Sequence, residues 1–137
     1  LRRKFHAYLE SSELDLGHVF AFLAVEAAYS HGTEWLDQCL AYIQGNIDYV
    51  DEFTKQHTPK IKVIRPQASF LVWLDCREMG LSQDALNDFF IDKAHLALNN
   101  GVAFGEEGEG FMRLNVASPR SVLEQAMKQL ADAYVKL

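Results

Sequence analysis

Gly110-Phe-Met-Arg-Leu-Asn-Val-Ala-Ser-Pro-Arg120 decides the fold, because it sets one arginine in an otherwise apolar strand and follows it with a helix start. Phe111 to Val116 alternates with period two. Met112, Leu114 and Val116 project to one side, Phe111, Arg113 and Asn115 to the other. The first set reads as a core face. The second carries a guanidinium that is always charged and offers a rigid fork of donors, a match for a carboxylate held by two parallel hydrogen bonds. A strand is a stiff mount for such a fork. From the residues alone two readings stay open: a structural ion pair inside the domain, or a clamp for an acid group from outside.

Working outward, Ser118-Pro119 predicts a helix from Pro119 to about Lys136, with Leu123, Met127, Leu130 and Tyr134 on one face and Glu124–Lys128 as an i,i+4 pair. Upstream, Asn99 to Gly110 reads as a loop and His95 to Leu98 as a short strand. Ser82 to about Lys93 reads as a helix, its start marked by Ser82, by Asp84 and by a Leu81–Leu86 staple. Lys60–Ile64 and Phe70–Asp75 read as two strands of a hairpin, joined by the turn Arg65–Ser69. The nearly continuous apolar run of the second predicts burial on both faces. Thr33 is expected to cap a long helix to about Gln56, striped by Leu36, Leu40, Ile43, Ile47 and Val50, with Gly45 marking a close contact or a bend. Such a stripe reads as core. Before it, His18–Ser30 forms a small-residue helix ended by His31-Gly32, and Leu1–Leu9 another, broken by turn formers over 11–17. The predicted fold is α+β: a small mixed or antiparallel sheet packed with helices.

The 137 residues suffice for one domain with a real core, and 49% hydrophobic and 23% charged residues are ordinary globular values. A net charge of −6 argues against non-specific nucleic-acid binding, which needs a basic face. No apolar run reaches the ~18 residues of a membrane span. Cys39 and Cys76 stand in different predicted elements and outside any CxxC pair, so both are expected to be reduced core thiols. A cytoplasmic protein is expected, with neither nucleic-acid nor membrane partner. The chain opens on Leu1 inside a predicted helix and its first methionine is Met79, which suggests a piece of a longer protein.

Other chemistries find little support. The loop glycines 101, 105, 108 and 110 precede a strand rather than a helix, lack a following Lys-Ser/Thr, and lie among Glu106, Glu107 and Glu109, which would repel a phosphate. The plain reading is a flexible connector. The five histidines form no metal-binding spacing. Ser69, Ser82 and Ser118 occupy turns or caps, where bonding to nearby backbone explains them.

Ala97-Leu-Asn-Asn-Gly-Val-Ala-Phe-Gly105, Glu107-Gly-Glu-Gly-Phe-Met-Arg-Leu-Asn115 and Ser118-Pro-Arg-Ser-Val-Leu-Glu124 together resemble the C-terminal end of class I/II aminotransferases. These are fold-type I enzymes using pyridoxal phosphate. The likeness is strongest to the cystathionine β-lyase-like C–S lyase branch. Pro66-Gln-Ala-Ser-Phe-Leu-Val-Trp-Leu74 resembles a further family pattern, with Ala68 where glycine is usual; Asn100-Gly101 stands where relatives often have Pro-Gly. The resemblance covers essentially the whole chain but only the last third or so of a family member. It implies the small C-terminal α+β domain over 33–137, and a helical segment, 1–32, that normally packs on a large cofactor-binding domain. It also implies that Arg113 binds the α-carboxylate of an amino-acid substrate, with Phe104 and Gly105 shaping the pocket. The Schiff-base lysine and the other pyridoxal-phosphate contacts are expected upstream of Leu1. The fragment itself is therefore expected to bind no cofactor and to be inactive, while the parent is a homodimeric lyase or aminotransferase. A non-enzymatic α+β binding module, its arginine merely structural, is the alternative of another class.

Overall fold

The computed structural model describes residues 1–14 and 17–137. Positions 15 and 16 of the expected turn over 11–17 lie outside the described residues. The chain divides into two compact units, Leu1–Cys39 and Leu40–Leu137.

In the first unit, α1 spans Arg2–Ser11 and α2 spans Val19–His31; neither buries a residue. His18 caps α2, its Nδ1 accepting the Phe20 N–H at 3.2 Å. Gly32 follows α2 as expected but with φ −87°, right-handed rather than left-handed. The reason is what comes next. The long helix α3, Thr33–His57, begins at once. Gly32 donates its N–H to the Ala28 carbonyl and accepts the Leu36 N–H, so it is a joint between helices. A Cβ on Gly32 would stand 2.4 Å from the Ala28 oxygen, which explains a glycine at this joint. Thr33, expected to cap α3, is instead its first residue.

The stripe along α3 is core only in its second half. Ile47 and Val50 are buried at 5% and 0% exposure, Ile43 packs against them, and Leu36 and Leu40 remain exposed at 49% and 55%.

The second unit holds a four-stranded antiparallel sheet: β1 (Lys62–Ile64), β2 (Leu71–Asp75), β3 (Asn99–Asn100) and β4 (Phe111–Asn115), in the order β1-β2-β4-β3. The predicted β1–β2 hairpin is present, with Val63 opposite Leu74. Val72 and Leu74 are fully buried, but Leu71, Trp73 and Asp75 only half so. Burial on both faces was the expectation; one face is core, and the other carries the polar and aromatic row described below. Met112, Leu114 and Val116 enter the same core as predicted, beside Leu123, Met127 and Leu130 of α5 (Arg120–Tyr134). Glu124 and Lys128 form no ion pair, contrary to expectation: both are exposed, where closing such a pair gains little.

Ser82 caps α4 (Gln83–Asp88), its Oγ accepting the Ala85 N–H at 3.3 Å, and Leu81 and Leu86 both join the core. The helix continues as a π-helical turn, Phe89–Lys93, closed by Ala94 N–H on the Phe89 carbonyl. His95–Leu98 is not the predicted strand. His95 adopts φ +55°, and Leu96 donates back to the Phe90 carbonyl at 2.7 Å. The backbone there is occupied in ending the helix, and pairing starts only at Asn99.

One buried polar side chain locks this arrangement. Asn46, fully buried in α3, donates through Nδ2 to the carbonyls of Val116 (2.8 Å) and Ser118 (3.0 Å), and its Oδ1 accepts from Arg120 Nε at 2.8 Å. Arg120 also lies over the Tyr49 ring, and its Nη2 comes within 3.4 Å of where a Cβ on Gly45 would be. That is ordinary van der Waals range to the end of a flexible side chain, so the contact does not by itself require the mid-helix glycine. The end of β4 and the start of α5 are tied to α3 at one point.

Candidate functional site: an arginine between a tryptophan and an asparagine

Arg113 occupies the middle of β4, with Trp73 of β2 and Asn99 of β3 directly opposite on either side. Opposed residues share a sheet face. The three therefore form one row on the face away from the core. Arg113 Nη2 donates to Asn99 Oδ1 at 3.1 Å, and the guanidinium carbon lies 4.2 Å from the centre of the Phe104 ring. Trp73 meets Phe104 edge to face at 5.4 Å and 87°, and Phe111 at 6.4 Å and 88°. Aromatic walls of this kind fix a guanidinium plane by cation–π attraction and exclude water from its face.

Arg113 forms no ion pair among the described residues, and its Nε is buried without a hydrogen-bond partner. A buried donor left unmade costs free energy, more so when it is charged. Two neighbouring cations are already paired with acids. Arg77 grips Asp75 with two bonds, Nε to Oδ1 at 2.9 Å and Nη2 to Oδ2 at 2.7 Å, and Lys62 pairs with Glu78. The Arg77 fork holds the Asp75 carboxyl below its usual range against the opposing effect of burial. Among the described residues, the internal ion pair that would make Arg113 merely structural is not formed. Its charge is available to an acid group from elsewhere.

The segment 99–110 is more ordered than a flexible connector. Two short 3-10 turns, Gly101–Phe104 and Glu106–Gly108, flank Gly105. Gly105 adopts φ +135°, ψ 164°, a region essentially closed to residues with a side chain. That kink lets the chain double back immediately after Phe104. Asn100 takes over as cap of the first turn, its Oδ1 accepting the Val102 N–H at 3.1 Å. The site residues Arg113, Phe104 and Gly105 are thus brought together, Gly105 through the backbone alone. Trp73 and Asn99 were not foreseen; period-two alternation gives their faces, but only the register gives their neighbour.

The described residues do not by themselves fit pyridoxal phosphate. All seven lysines are exposed; Lys62, on β1, is paired to Glu78, and Lys55 to Asp51. The glycine-rich segment carries three glutamates and feeds β4 rather than a helix, so no phosphate cradle forms there. Among the described residues no cluster of three metal-ligating side chains exists, and no helix is long and apolar enough to cross a membrane. Both cysteines are free. Cys76 is the buried thiol expected, pushed up to about 12 by burial and then by the nearby Asp75 charge, whereas Cys39 is only partly buried.

Among the described residues, five α-helices and a four-stranded antiparallel sheet match the C-terminal region of aminotransferase-fold structures. A pyridoxal-phosphate-bound protein of Clostridium difficile 630 superposes with a TM-score of 0.90 at 34% identity, over 94% of this chain and 33% of that one. Cystalysin of Treponema denticola, whose structure contains pyridoxal 5'-phosphate, gives 0.83 at 31% identity, over 86% of this chain and 30% of that one. In sequence, cystathionine beta-lyase PatB of Bacillus subtilis (strain 168) is 38% identical over 132 residues, 96% of this chain and 34% of the relative. No protein-family model matches the chain. The chain is homologous to the C-terminal portion of pyridoxal-phosphate-dependent, cystathionine β-lyase-like proteins of the aminotransferase fold. It spans about a third of the length of the relatives it matches.

Proposed function

We propose that this chain is the small, substrate-clamping domain of a pyridoxal-phosphate-dependent C–S β-lyase acting on a sulfur-containing amino acid. The observation that carries the reading is Arg113, a forked cation on a rigid strand with one buried donor unpartnered and, among the described residues, no carboxylate of its own. Homology to a cystathionine β-lyase along nearly the whole chain supports the lyase branch. Arg113 receives the substrate α-carboxylate, Asn99 steadies the guanidinium, and Phe104 with Gly105 closes the pocket wall. Holding the carboxylate fixes the orientation of the Cα–H bond, which is where positioning contributes to rate. The cofactor, held by the rest of the parent enzyme, supplies the electron sink for Cα when bound. In this reading 1–32 lies against the cofactor-binding domain, 33–137 forms the small domain, and the enzyme is a cytoplasmic homodimer.

The test is Arg113→Lys in the intact enzyme. A lysine keeps the charge and loses the fork, so KM for the amino acid should rise about 10- to 100-fold while the cofactor absorbance stays unchanged. Unchanged saturation kinetics would end the carboxylate role. An aminotransferase, the second reading, is supported by 31% identity to an aspartate aminotransferase of Pyrococcus horikoshii over 57% of this chain, and would use the same clamp. Thiol release with a cystathionine-type substrate identifies the lyase; amino-group transfer to a keto acid without thiol release identifies the aminotransferase.

A further inference from the structure

Both ends of the segment that carries Phe104 converge on one side chain from a different element. Gln83, the first residue of α4, donates through Nε2 to Asn100 Oδ1 at 2.6 Å and accepts the Gly110 N–H on Oε1 at 2.7 Å. Its Nε2 also lies 3.8 Å from the Met112 sulfur. Asn100 is where β3 gives way to the first 3-10 turn, and Gly110 is the residue before β4. A primary amide presents a donor and an acceptor side by side, and here each serves one end of the loop.

The backbone between these ends is drawn in tightly. A Cβ on Gly101 would fall 2.1 Å from the Gly108 carbonyl oxygen, and one on Gly108 the same distance from that of Gly101. Gly110 adopts φ +81°, and a Cβ there would strike the Arg77 side chain at 2.5 Å. The loop therefore has a neck of backbone against backbone, clasped by Gln83, and a head that presents Phe104. That ring is half exposed and packs on Arg113 and Trp73. With half of its surface exposed, the ring depends on the neck as well as on its own packing to stay over the guanidinium.

We propose that Gln83 is a positioning residue for the substrate site: by clasping the 99–110 loop at both ends it keeps Phe104 over Arg113, and so sets the guanidinium for its ligand. The inference rests on the reading of Arg113 as a carboxylate clamp. It explains why a polar residue with no reach to substrate is half-buried at the start of α4, and why the connector between two short strands is ordered.

The experiment compares Gln83→Ala and Gln83→Glu with the wild type in the intact enzyme, by hydrogen exchange resolved to peptides and by substrate saturation. Gln83→Ala should speed exchange across 99–110 about tenfold, the effect of losing two hydrogen bonds, with peptides from β2 and α5 unchanged. KM should rise several-fold with kcat less affected. Gln83→Glu keeps the acceptor for the Gly110 N–H but sets a carboxylate oxygen against Asn100 Oδ1, so it should loosen the loop at least as much as Gln83→Ala. The proposal is overturned if loop exchange does not change, if it rises only in step with β2 and α5, or if the loop loosens while KM stays put. Arg113→Lys separates the two ideas. Unchanged kinetics in that variant defeat the clamp itself, whereas loop exchange in the Gln83 variants reports on the clasp in either case.

Discussion

Replacing Asn46 with alanine should be among the most damaging single changes in the chain, although the residue touches no part of the proposed substrate site. Three hydrogen bonds end on its amide, to the Val116 and Ser118 carbonyls and from Arg120 Nε, and the side chain is fully buried. Truncation leaves those partners unmet. A buried group left unsatisfied costs about 1–3 kcal/mol, and water entering the vacated space recovers part of it. The expected loss is about 3 kcal/mol, a large share of the ~5–15 kcal/mol that holds an ordinary domain together. Asn46→Asp is the sharper variant. It preserves shape and the Arg120 contact but turns a donor into a second acceptor facing two carbonyl oxygens, so at neutral pH it should cost at least as much. Urea unfolding followed by tryptophan fluorescence measures both. A loss below about 1 kcal/mol with an unchanged m-value would refute the account of Asn46 as the tie between α3 and the end of β4.

Three further outcomes are expected. Asp51 is pushed upward by burial, but hydrogen bonds from Lys55 and Arg65 outweigh this and hold its carboxyl below its ordinary range. A depressed folded pKa gives stability that is present above the unfolded value, near 3.8, and lost as pH falls through the folded one; Asp51→Asn should therefore be less stable than wild type at pH 7 and lose less on acidification, which unfolding curves from pH 7 to 2 will check. In thiol titration at pH 8, Cys39 should react promptly and Cys76, its thiol pushed up to about 12 and 2% exposed, only after denaturant is added; prompt reaction of both would contradict the packing around Cys76. Gly101→Ala would place a methyl 2.1 Å from one backbone oxygen and 2.5 Å from another, so it should cost about 1–3 kcal/mol and loosen the 99–110 loop, whereas Gly80→Ala meets nothing within 4 Å and has only its φ of +68° to strain it.

The parts of the fold legible in the sequence are those whose signal is local. Alternation over Phe111–Val116 gave both faces of β4, helical spacing gave the buried side of α5 and of the second half of α3, and the Leu81-Ser82…Leu86 pattern gave the start of α4. The failures have physical causes too. The apolar run in β2 reads as buried on both sides, because a sequence does not distinguish a core face from an aromatic wall such as Trp73. The stripe along α3 continues through Leu36 and Leu40, which stay exposed, since periodicity marks an apolar side without saying whether anything covers it. The π-helical turn at Phe89–Lys93 and the left-handed His95 displaced the predicted strand by several residues, and neither has a distinct composition.

Sequence alone pointed to the chemistry available: a permanent cation on a strand, a glycine-rich segment unsuited to phosphate, and no spacing that supports a zinc site or a Ser-His-Asp triad. The tertiary structure decided what that cation meets. Strand order puts Trp73 and Asn99 on either side of Arg113, a helix start 27 residues from Gly110 clasps the loop over it, and Asn46 ties down the strand end from 70 residues away. Contacts across such separations depend on register and on the closure of loops, and neither is written in the spacing of neighbouring residues.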